Sequence, residues 1–152
     1  MNEVDLLGFL RLHRWAVQGS VSPRGAPQSA LVGFAVTDSL EIVFDTLDTT
    51  RKVANLRVNP RIAFVIGGWL DGDERTVQYE GLADFPSGDE LQRIKSAYFT
   101  VFPDGPARQA WPGITYIRAM PQWIRFSNFN TSPPEVYELR FPKNEPTTGH
   151  NH

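Results

Sequence analysis

Residues 46–68, TLDTTRKVANLRVNPRIAFVIGG, form the stretch that decides how the rest of the chain folds. A hydroxyl-rich loop opens this stretch, and the three-residue spacing of Val53 and Leu56 is typical of one face of a helix. Pro60 ends that helix, because a proline disfavours helical backbone at the residue before it. The apolar run at residues 62–66 then predicts a buried strand. The stretch therefore predicts a loop, a short helix and a strand in direct succession.

Two adjacent cations, Arg51 and Lys52, lie on the first turn of this predicted helix. The positive end of the helix dipole disfavours cations there, whereas a bound anion would favour them. Free backbone N–H groups, the hydroxyls of Thr49 and Thr50, a guanidinium and an ammonium would then converge on a phosphate. The alternative is a solvated helix face, since adjacent basic residues are common on protein surfaces.

Period-two alternation on both sides of this stretch predicts strands. Trp15, Val17, Gly19 and Val21 form the first alternating set, and a turn at residues 22–25 follows it. Together the predicted strands cover residues 15–21, 30–36, 40–44, 61–66, 76–85, 114–120 and 122–127. Tight turns join the first three, which predicts an antiparallel meander. So many strands with few helices favour a mainly β, closed or partly closed antiparallel barrel over a parallel sheet.

Two further helices and a tail complete the predicted organisation. Residues 3–13 have the spacing of a short amphipathic helix, and Ser87 with Glu90 is typical of a capping box that opens another. Residues 103–113 are rich in proline and glycine and predict a loop. The predicted organisation is one domain, residues 1–141, and a flexible polar tail, residues 142–152.

Composition and charge limit the classes of function. The net charge of −2 argues against nucleic acid or an anionic membrane as a partner, since both require a strongly basic surface. The absence of cysteine excludes disulfides, thiolate catalysis and thiolate metal sites. Glu3 and Asp5 stand where a signal peptide would be basic, and no apolar run approaches the ~20 residues that cross a bilayer. A cytoplasmic protein is expected.

The order of these elements, with four sequence motifs, resembles the pyridoxamine 5′-phosphate oxidase-like family of flavin-binding split barrels. The resemblance extends over about residues 5–138. Its motifs are SPRGAPQSALVGF at 22–34, RKVANLRVNPR at 51–61, VQYEG at 77–81 and PQWIRFSNFNTSPPEVYEL at 121–139. The resemblance implies an antiparallel split β-barrel and a homodimer with flavin mononucleotide (FMN) held between the subunits.

The resemblance also implies roles for individual residues. Arg51 and Lys52 would bind the FMN phosphate, with Thr49 or Thr50 adding a hydroxyl. The ribityl chain and the edge of the ring usually lie where the strand before the clamp ends, at Phe44, Asp45 and Thr46. The polar edge of the isoalloxazine typically meets the backbone of another strand, at Ser29, Ala30 and Leu31.

Aromatic residues near the C-terminus are candidates for the walls of the dimer groove. Trp123 and Arg125 are two apart, so both point to one face of a strand. That face either lines the groove and covers the flavin, or Trp123 packs in the core and Arg125 is a surface charge. Trp111 is a second candidate for a groove wall.

Departures from the family pattern bear on the substrate. The oxidase that gives the family its name has basic residues where this chain has Ala30 and Ala35. It also has an Arg-Leu-His signature where this chain has residues 130–134, NTSPP. The phosphate of pyridoxamine phosphate would therefore lack partners. The expected function is an FMN-dependent oxidoreductase acting on another small molecule, with no side chain identifiable as catalytic.

Alternatives to that function remain open. The chain could be a non-catalytic module that holds flavin or haem, or an enzyme that uses a deazaflavin. No metal site is predicted. His13 has no sequence partner, and His150 with His152 lacks a third ligand in the terminal tail. The acidic residues of one loop lack calcium-site spacing and are interpreted as a solvated turn: Asp71, Asp73 and Glu74.

Overall fold

The computed structural model of the protein describes residues 1–144. The strands are β1 Trp15–Val21, β2 Pro27–Gly33, β3 Ala35–Val36, β4 Ile42–Leu47, β5 Arg61–Gly67, β6 Arg75–Asp84, β7 Ile114–Asn128 and β8 Glu135–Arg140. The helices are α1 Glu3–Leu10, α2 Arg51–Val58, α3 Gly88–Val101 and α4 Gly105–Arg108, followed by a 3₁₀ turn at Pro142–Asn144. None of these helices is long and apolar enough to cross a membrane.

All strands belong to one antiparallel sheet with the order β2-β1-β5-β6-β7-β4-β3, and β8 pairs with β7. The two ends of that order, β2 and β3, are separated in the chain by Phe34 alone. The sheet must therefore curl round so that its ends approach each other. The mainly β antiparallel prediction is confirmed, and the curled sheet is that of a split barrel.

The predicted meander of the first three strands is right in its two antiparallel pairings and wrong in its continuous middle strand. β1 and β2 do pair, with Gln18 opposite Ala30. The third predicted strand, β4, pairs with β3, where Ala35 lies opposite Val43, and on its other side with β7, where Phe44 lies opposite Ile117. The single predicted strand at residues 30–36 is broken at Phe34, and this break places β3 and β4 at the opposite end of the sheet order from β2.

β7 also differs from expectation, because the two strands predicted at 114–120 and 122–127 are one strand of 15 residues. Pro121 lies opposite Gly81 at a register shift in the pairing of β6 with β7, an irregularity of the kind at which a strand accommodates a proline. The first half of β7 pairs with β4 and the second half with β8, a strand that the alternation did not predict.

The helices begin differently from their predictions. Ser87 is the N-cap of α3, but its side chain makes no capping hydrogen bond within the described part of the chain. Glu90 pairs with Arg93 and Arg118 instead, so the predicted capping box is wrong. A true capping box opens α1, where Asn2 and Asp5 exchange side-chain-to-backbone hydrogen bonds of 2.9 and 3.1 Å.

Short elements occupy two segments predicted as irregular. The predicted loop at residues 103–113 contains α4. The first three residues of the predicted tail, Pro142–Asn144, dock on β7, where Asn144 Nδ2 donates to Pro121 O at 2.9 Å. The prediction of a flexible tail otherwise falls on residues 145–152, which lie outside the described residues.

The core contains a chain of aromatic rings that joins opposite walls of the barrel. Phe44 and Tyr79 each meet Phe64 edge to face, with centroids 6.0 and 5.6 Å away. The buried Tyr79 hydroxyl donates to the carbonyls of Leu40 and Ala119 at 2.8 and 3.1 Å. The ring therefore fills the interior while its polar atom stays hydrogen-bonded.

A buried carboxylate, Glu41, attaches α3 to the sheet. Arg93 donates to both of its oxygens at 2.9 and 3.0 Å, and Arg118 lies 3.3 Å away. Burial acts to raise the pKa of Glu41, but hydrogen bonds from Arg93, Thr37 and Ser39 outweigh it and hold the pKa below its usual range. The charged form is therefore the one that the fold stabilises.

Candidate anion pocket and adjoining groove

Helix α2 packs on the core through Val53 and Leu56, and its third buried side chain, Asn55, ties it to the β1–β2 hairpin. Its Nδ2 atom donates to Ser20 Oγ on β1 at 3.0 Å and to Gln28 Oε1 on β2 at 2.8 Å. Asn55 is only 4% exposed, so these bonds are shielded from water. They hold the middle of α2 over the β1–β2 hairpin.

A small pocket of about 110 Å³ lies between the start of α2 and this hairpin. Seven residues line it, and Ala30 is the apolar one. The other six are polar or charged: Gln18, Ser20, Gln28, Ser29, Arg51 and Lys52. Neither cation has an acidic partner within 4 Å in the part of the chain that the structure describes. The pocket therefore carries two uncompensated positive charges.

The two cations have different surroundings. Arg51 is exposed, whereas Lys52 is partly buried and donates from Nζ to Thr46 Oγ1 at 3.3 Å. Burial lowers the pKa of Lys52, because the ammonium loses hydration that no carboxylate replaces. An anion in the pocket would restore that lost stabilisation.

The start of α2 is open to a ligand. Thr50 is the N-cap, but its side chain donates to Leu47 O at 2.9 Å and makes no capping bond to the helix. Thr49 is exposed beside it. The N–H groups of the first turn consequently have no side-chain cap, and they point toward the same end of the helix as Arg51.

The pocket opens into a groove of about 630 Å³ on the outer face of the sheet. Ser20, Gln28 and Ser29 line both spaces. The far part of the groove is lined by β5, β6 and β7, and includes Arg61, Ala63, Glu80, Gly81 and Gln122. A ligand with an anionic end and a larger body would thus have space for both.

The predicted site residues of β4 are distributed over three environments. Phe44 is fully buried in the core, so only its backbone could meet a ligand. Thr46 reaches Lys52, as described above. Asp45 points to the other face, where Tyr98 and Arg108 donate to its carboxylate at 2.9 and 3.0 Å. Burial, followed by the charge of Asp45, raises the pKa of Tyr98. The Asp45 side chain is therefore engaged away from the pocket.

Strand β1 directs its apolar residues outward and its polar residues inward, which reverses the usual arrangement of an alternating strand. The apolar residues Trp15 and Val17 face solvent, and Trp15 is 53% exposed. The polar residues Gln18 and Ser20 are buried, at 1% and 4% exposure. Polar residues on the inward face of a strand were the sequence signal that could have identified these pocket residues.

The outer face of the sheet carries an apolar surface, which comprises Trp15, Val17, Leu31, Val65 and Trp123. Leu31 is 62% exposed and Val65 45%. Trp123 lies with Val17 and Val65 around a depression of about 210 Å³, and its Nε1 donates to Glu138. Arg125 lies on β7 opposite Gln78 and Glu138, away from the small pocket.

The two alanines that mark departures from the family pattern lie in different places. Ala30 lines the small pocket, whereas Ala35 is 2% exposed and belongs to the core. A basic side chain at Ala35 would have to be accommodated in that interior.

In the described part of the chain, no three or more His, Asp or Glu side chains lie close enough together to hold a metal ion. His13 is buried between Phe9 and Trp69, with ring centroids 4.9 and 6.1 Å away, and burial lowers its pKa. Arg75 Nε donates to Asp73 Oδ1 at 2.7 Å, and this hydrogen bond lowers the pKa of Asp73 to about 2. His150 and His152 lie outside the described residues.

Several solved structures are similar to this fold. A haem-binding protein from Mycobacterium smegmatis has a TM-score of 0.78 and 15% identity over 92% of this chain and 58% of its own, so this chain spans less than two thirds of that relative. An FMN-binding protein from Nostoc punctiforme, related to pyridoxamine 5′-phosphate oxidase, has a TM-score of 0.67 and 14% identity over 94% and 89% of the two chains. HutZ, the haem storage protein of Vibrio cholerae, has a TM-score of 0.66 and 15% identity over 80% and 92%. At these identities the likeness shows the fold alone.

Sequence comparison identifies the family directly. No curated protein matches the chain. The family model described as pyridoxamine 5′-phosphate oxidase, however, matches residues 5–128, which include the curled sheet up to β7, helix α2 and every lining residue of the small pocket. The predicted family and its split-barrel class are confirmed, and this chain belongs to the pyridoxamine 5′-phosphate oxidase family.

Proposed function

We propose that this protein binds FMN, with its phosphate in the pocket at Arg51 and Lys52, and uses the flavin to oxidise or reduce a small molecule. The observation that carries the proposal is the pair of cations without acidic partners in the described chain, at the open start of α2. Two positive charges held together cost free energy unless an anion joins them. A phosphate also accepts hydrogen bonds from helix N–H groups.

The adjoining groove supports a ligand with a body beyond its phosphate. Its volume of about 630 Å³ is within the ~300–1,000 Å³ typical of sites for small ligands and cofactors. Ser20, Gln28 and Ser29 form the passage between pocket and groove, so the ribityl chain would lie along them. Bound flavin would supply the redox chemistry, while the protein supplies binding and orientation.

The exposed apolar surface supports a homodimer as the functional form. Trp15, Leu31 and Val65 lie on the same outer face as the groove, and a second copy there would remove them from water. A stable interface buries on the order of 1,600 Å² in total. Sedimentation with FMN present tests this proposal, and a monomer at micromolar concentration would refute it. Trp111 is 54% exposed and remains a candidate for a contact residue.

Haem binding is the second candidate, because two proteins of this fold are named as haem-binding or haem storage proteins. The described residues favour FMN over haem. The one histidine among them, His13, lies against Phe9 and Trp69 and lines neither the anion pocket nor the groove. The uncompensated cations instead match a phosphate.

The absorption spectrum of the purified protein after incubation with each cofactor tests the choice. Flavin bands retained after gel filtration would support FMN, a Soret band would support haem, and a deazaflavin band would support the third candidate. Retention of haem alone, with no FMN bound at micromolar concentration, would overturn the proposal. Rapid reduction of bound FMN by a reduced nicotinamide would support an oxidoreductase over a storage module.

A further inference from the structure

We infer that the protein has a second ligand site, which takes a neutral, mainly apolar molecule with a hydroxyl group, such as a phenol or an aliphatic alcohol. The site is a cavity of about 410 Å³ between the end of α1, strand β3 and the C-terminal part of α3. It shares no lining residue with the anion pocket or the groove, so this inference does not rest on FMN binding. The observation that carries it is a buried histidine of the cavity lining, His13, whose Nε2 atom has no hydrogen-bond partner in the described chain.

The His13 side chain is held by its neighbours through its ring and not through its polar atoms. Its ring packs edge to face against Phe9 and Trp69, and only 9% of the residue is exposed. Buried polar atoms are normally hydrogen-bonded, so the unpaired Nε2 atom indicates a missing partner. Because His13 lines the cavity, a modest rotation of its ring about Cβ–Cγ, a torsion with a broad minimum, can present a nitrogen to a ligand there.

Most of the cavity wall is apolar, which determines the body of the ligand. The apolar lining residues come from three parts of the fold: Leu10, Phe34, Ala35, Val36, Ala97 and Val101. The cavity volume is within the ~300–1,000 Å³ typical of sites for small molecules. Transfer of a hydrocarbon body from water to such a wall is favourable, because apolar surface leaves water on both sides of the contact.

The charges around the cavity disfavour an ionic ligand. Arg11 Nη2 donates to Asp38 Oδ1 at 2.9 Å, so a carboxylate already compensates the one cation of the lining. Thr100 Oγ1 donates to the carbonyl of Ser96 at 2.9 Å. Burial lowers the pKa of His13, so its ring is neutral at pH 7. An ionic group would therefore lose its hydration in the cavity without gaining a partner of opposite charge.

A hydroxyl group is the ligand group that matches a neutral imidazole in either tautomer. A neutral imidazole has one N–H donor and one acceptor nitrogen. A hydroxyl both donates and accepts, so it pairs with the buried nitrogen of His13 whichever nitrogen carries the hydrogen. A ketone or an ether only accepts, and it would match one tautomer alone. The apolar wall and the single unpaired ring thus define a hydrocarbon body with a hydroxyl group.

The test follows the ring nitrogens of His13 by nuclear magnetic resonance while the full-length protein is titrated with p-cresol, hexanol or p-xylene. p-Cresol and hexanol should shift the His13 nitrogen signals saturably at millimolar concentration. p-Xylene has nearly the shape of p-cresol but no hydroxyl, so it should bind without the nitrogen shift that a hydrogen bond causes. The signals are assigned by their absence from His13→Leu.

Side-chain replacements separate the hydrogen bond from the apolar contacts. His13→Leu should weaken p-cresol binding about tenfold, because it removes a hydrogen bond to a buried group, and should change p-xylene binding less than about threefold. Ala97→Phe adds a large side chain to the cavity lining and should weaken the binding of all three compounds at least about tenfold. Ser96→Phe is the matched control, since it adds the same ring to an exposed position of α3 outside the cavity.

Three results would overturn the inference. The first is that neither p-cresol nor hexanol shifts the His13 signals. The second is an equal loss of p-cresol and p-xylene in His13→Leu, since His13 would then only shape the cavity. The third is binding in Ala97→Phe as tight as in Ser96→Phe, which would place the compounds elsewhere. Melting curves accompany each titration, and if His13→Leu does not fold, the two phenylalanine variants decide, because both retain His13.

Discussion

Replacing both cations of the anion pocket, Arg51→Ala/Lys52→Ala, should selectively remove affinity for the phosphate of FMN. A charge-assisted hydrogen bond contributes about 1.5–3 kcal/mol. Arg51 is exposed and should contribute near the lower limit, whereas Lys52 is partly buried and should contribute near the upper one. The sum of about 4.5 kcal/mol corresponds to roughly a two-thousandfold rise in the FMN dissociation constant.

Paired fluorescence titrations with FMN and riboflavin measure this effect. Riboflavin lacks the phosphate, so its weaker binding should hardly change. Arg57→Ala is the matched control, because it removes a cation from the same helix that lies over the Phe85 ring, 4.1 Å away, and outside the pocket. Circular dichroism should be unchanged in all variants, since neither Arg51 nor Lys52 supports the core.

Two results would refute this reasoning. Equal losses for FMN and riboflavin would mean that the pair shapes the pocket without holding the phosphate. No loss for either ligand would return Arg51 and Lys52 to a solvated helix face. A loss in Arg57→Ala as large as in the double variant would indicate a general effect of charge on the helix.

Three further outcomes are expected. Glu41→Gln should lower the free energy of unfolding at pH 7 by about 3 kcal/mol, because it removes one partner of a buried ion pair. Because folding lowers the pKa of Glu41, its contribution to the free energy of unfolding is present above the usual pKa of 4.5 and is lost as the pH falls through the lower pKa of the folded state. The free energies of unfolding of wild type and Glu41→Gln should therefore converge at that lower pH. A difference that stays constant with pH would contradict this. Gly81→Ala should cost about 2 kcal/mol or more, because an added Cβ would lie 2.5 Å from Met120 O, whereas Gly19→Ala, with its nearest atom 3.8 Å away, should melt like the wild type. Pyridoxamine phosphate should show negligible turnover, since Ala30 in the small pocket supplies no charge, and robust oxidation at micromolar substrate would show that this position is misassigned.

Local features of the sequence were sufficient for the fold class and singled out the two cations of the candidate pocket. Alternation and turn residues predicted most strands, because side chains of a strand alternate between its two faces whatever the strand pairs with. Arg51 and Lys52 were identifiable because cations are unfavourable at the start of a helix. That unfavourable placement can be recognised from the eight residues of α2 alone, without any tertiary contact. Ser29 and Ala30 line the same small pocket, whereas the family resemblance implied that they meet the polar edge of the isoalloxazine.

Only the tertiary structure decided which strands are neighbours and which polar groups share a pocket. Alternation cannot distinguish a partner nearby in the chain from a distant one, so β4 was expected beside one continuous strand at residues 30–36 and lies between β3 and β7. Alternation also could not show that Gln18 and Ser20 point inward. The apolar and the polar residues of β1 alternate with the same period, and only their burial in the folded protein shows which of them face the barrel interior. Asn55 meets Ser20 across 35 residues of sequence, and Asp45 turns to Arg108 across 63. Such pairings arise when the curled sheet brings separate elements together, and no local pattern encodes them.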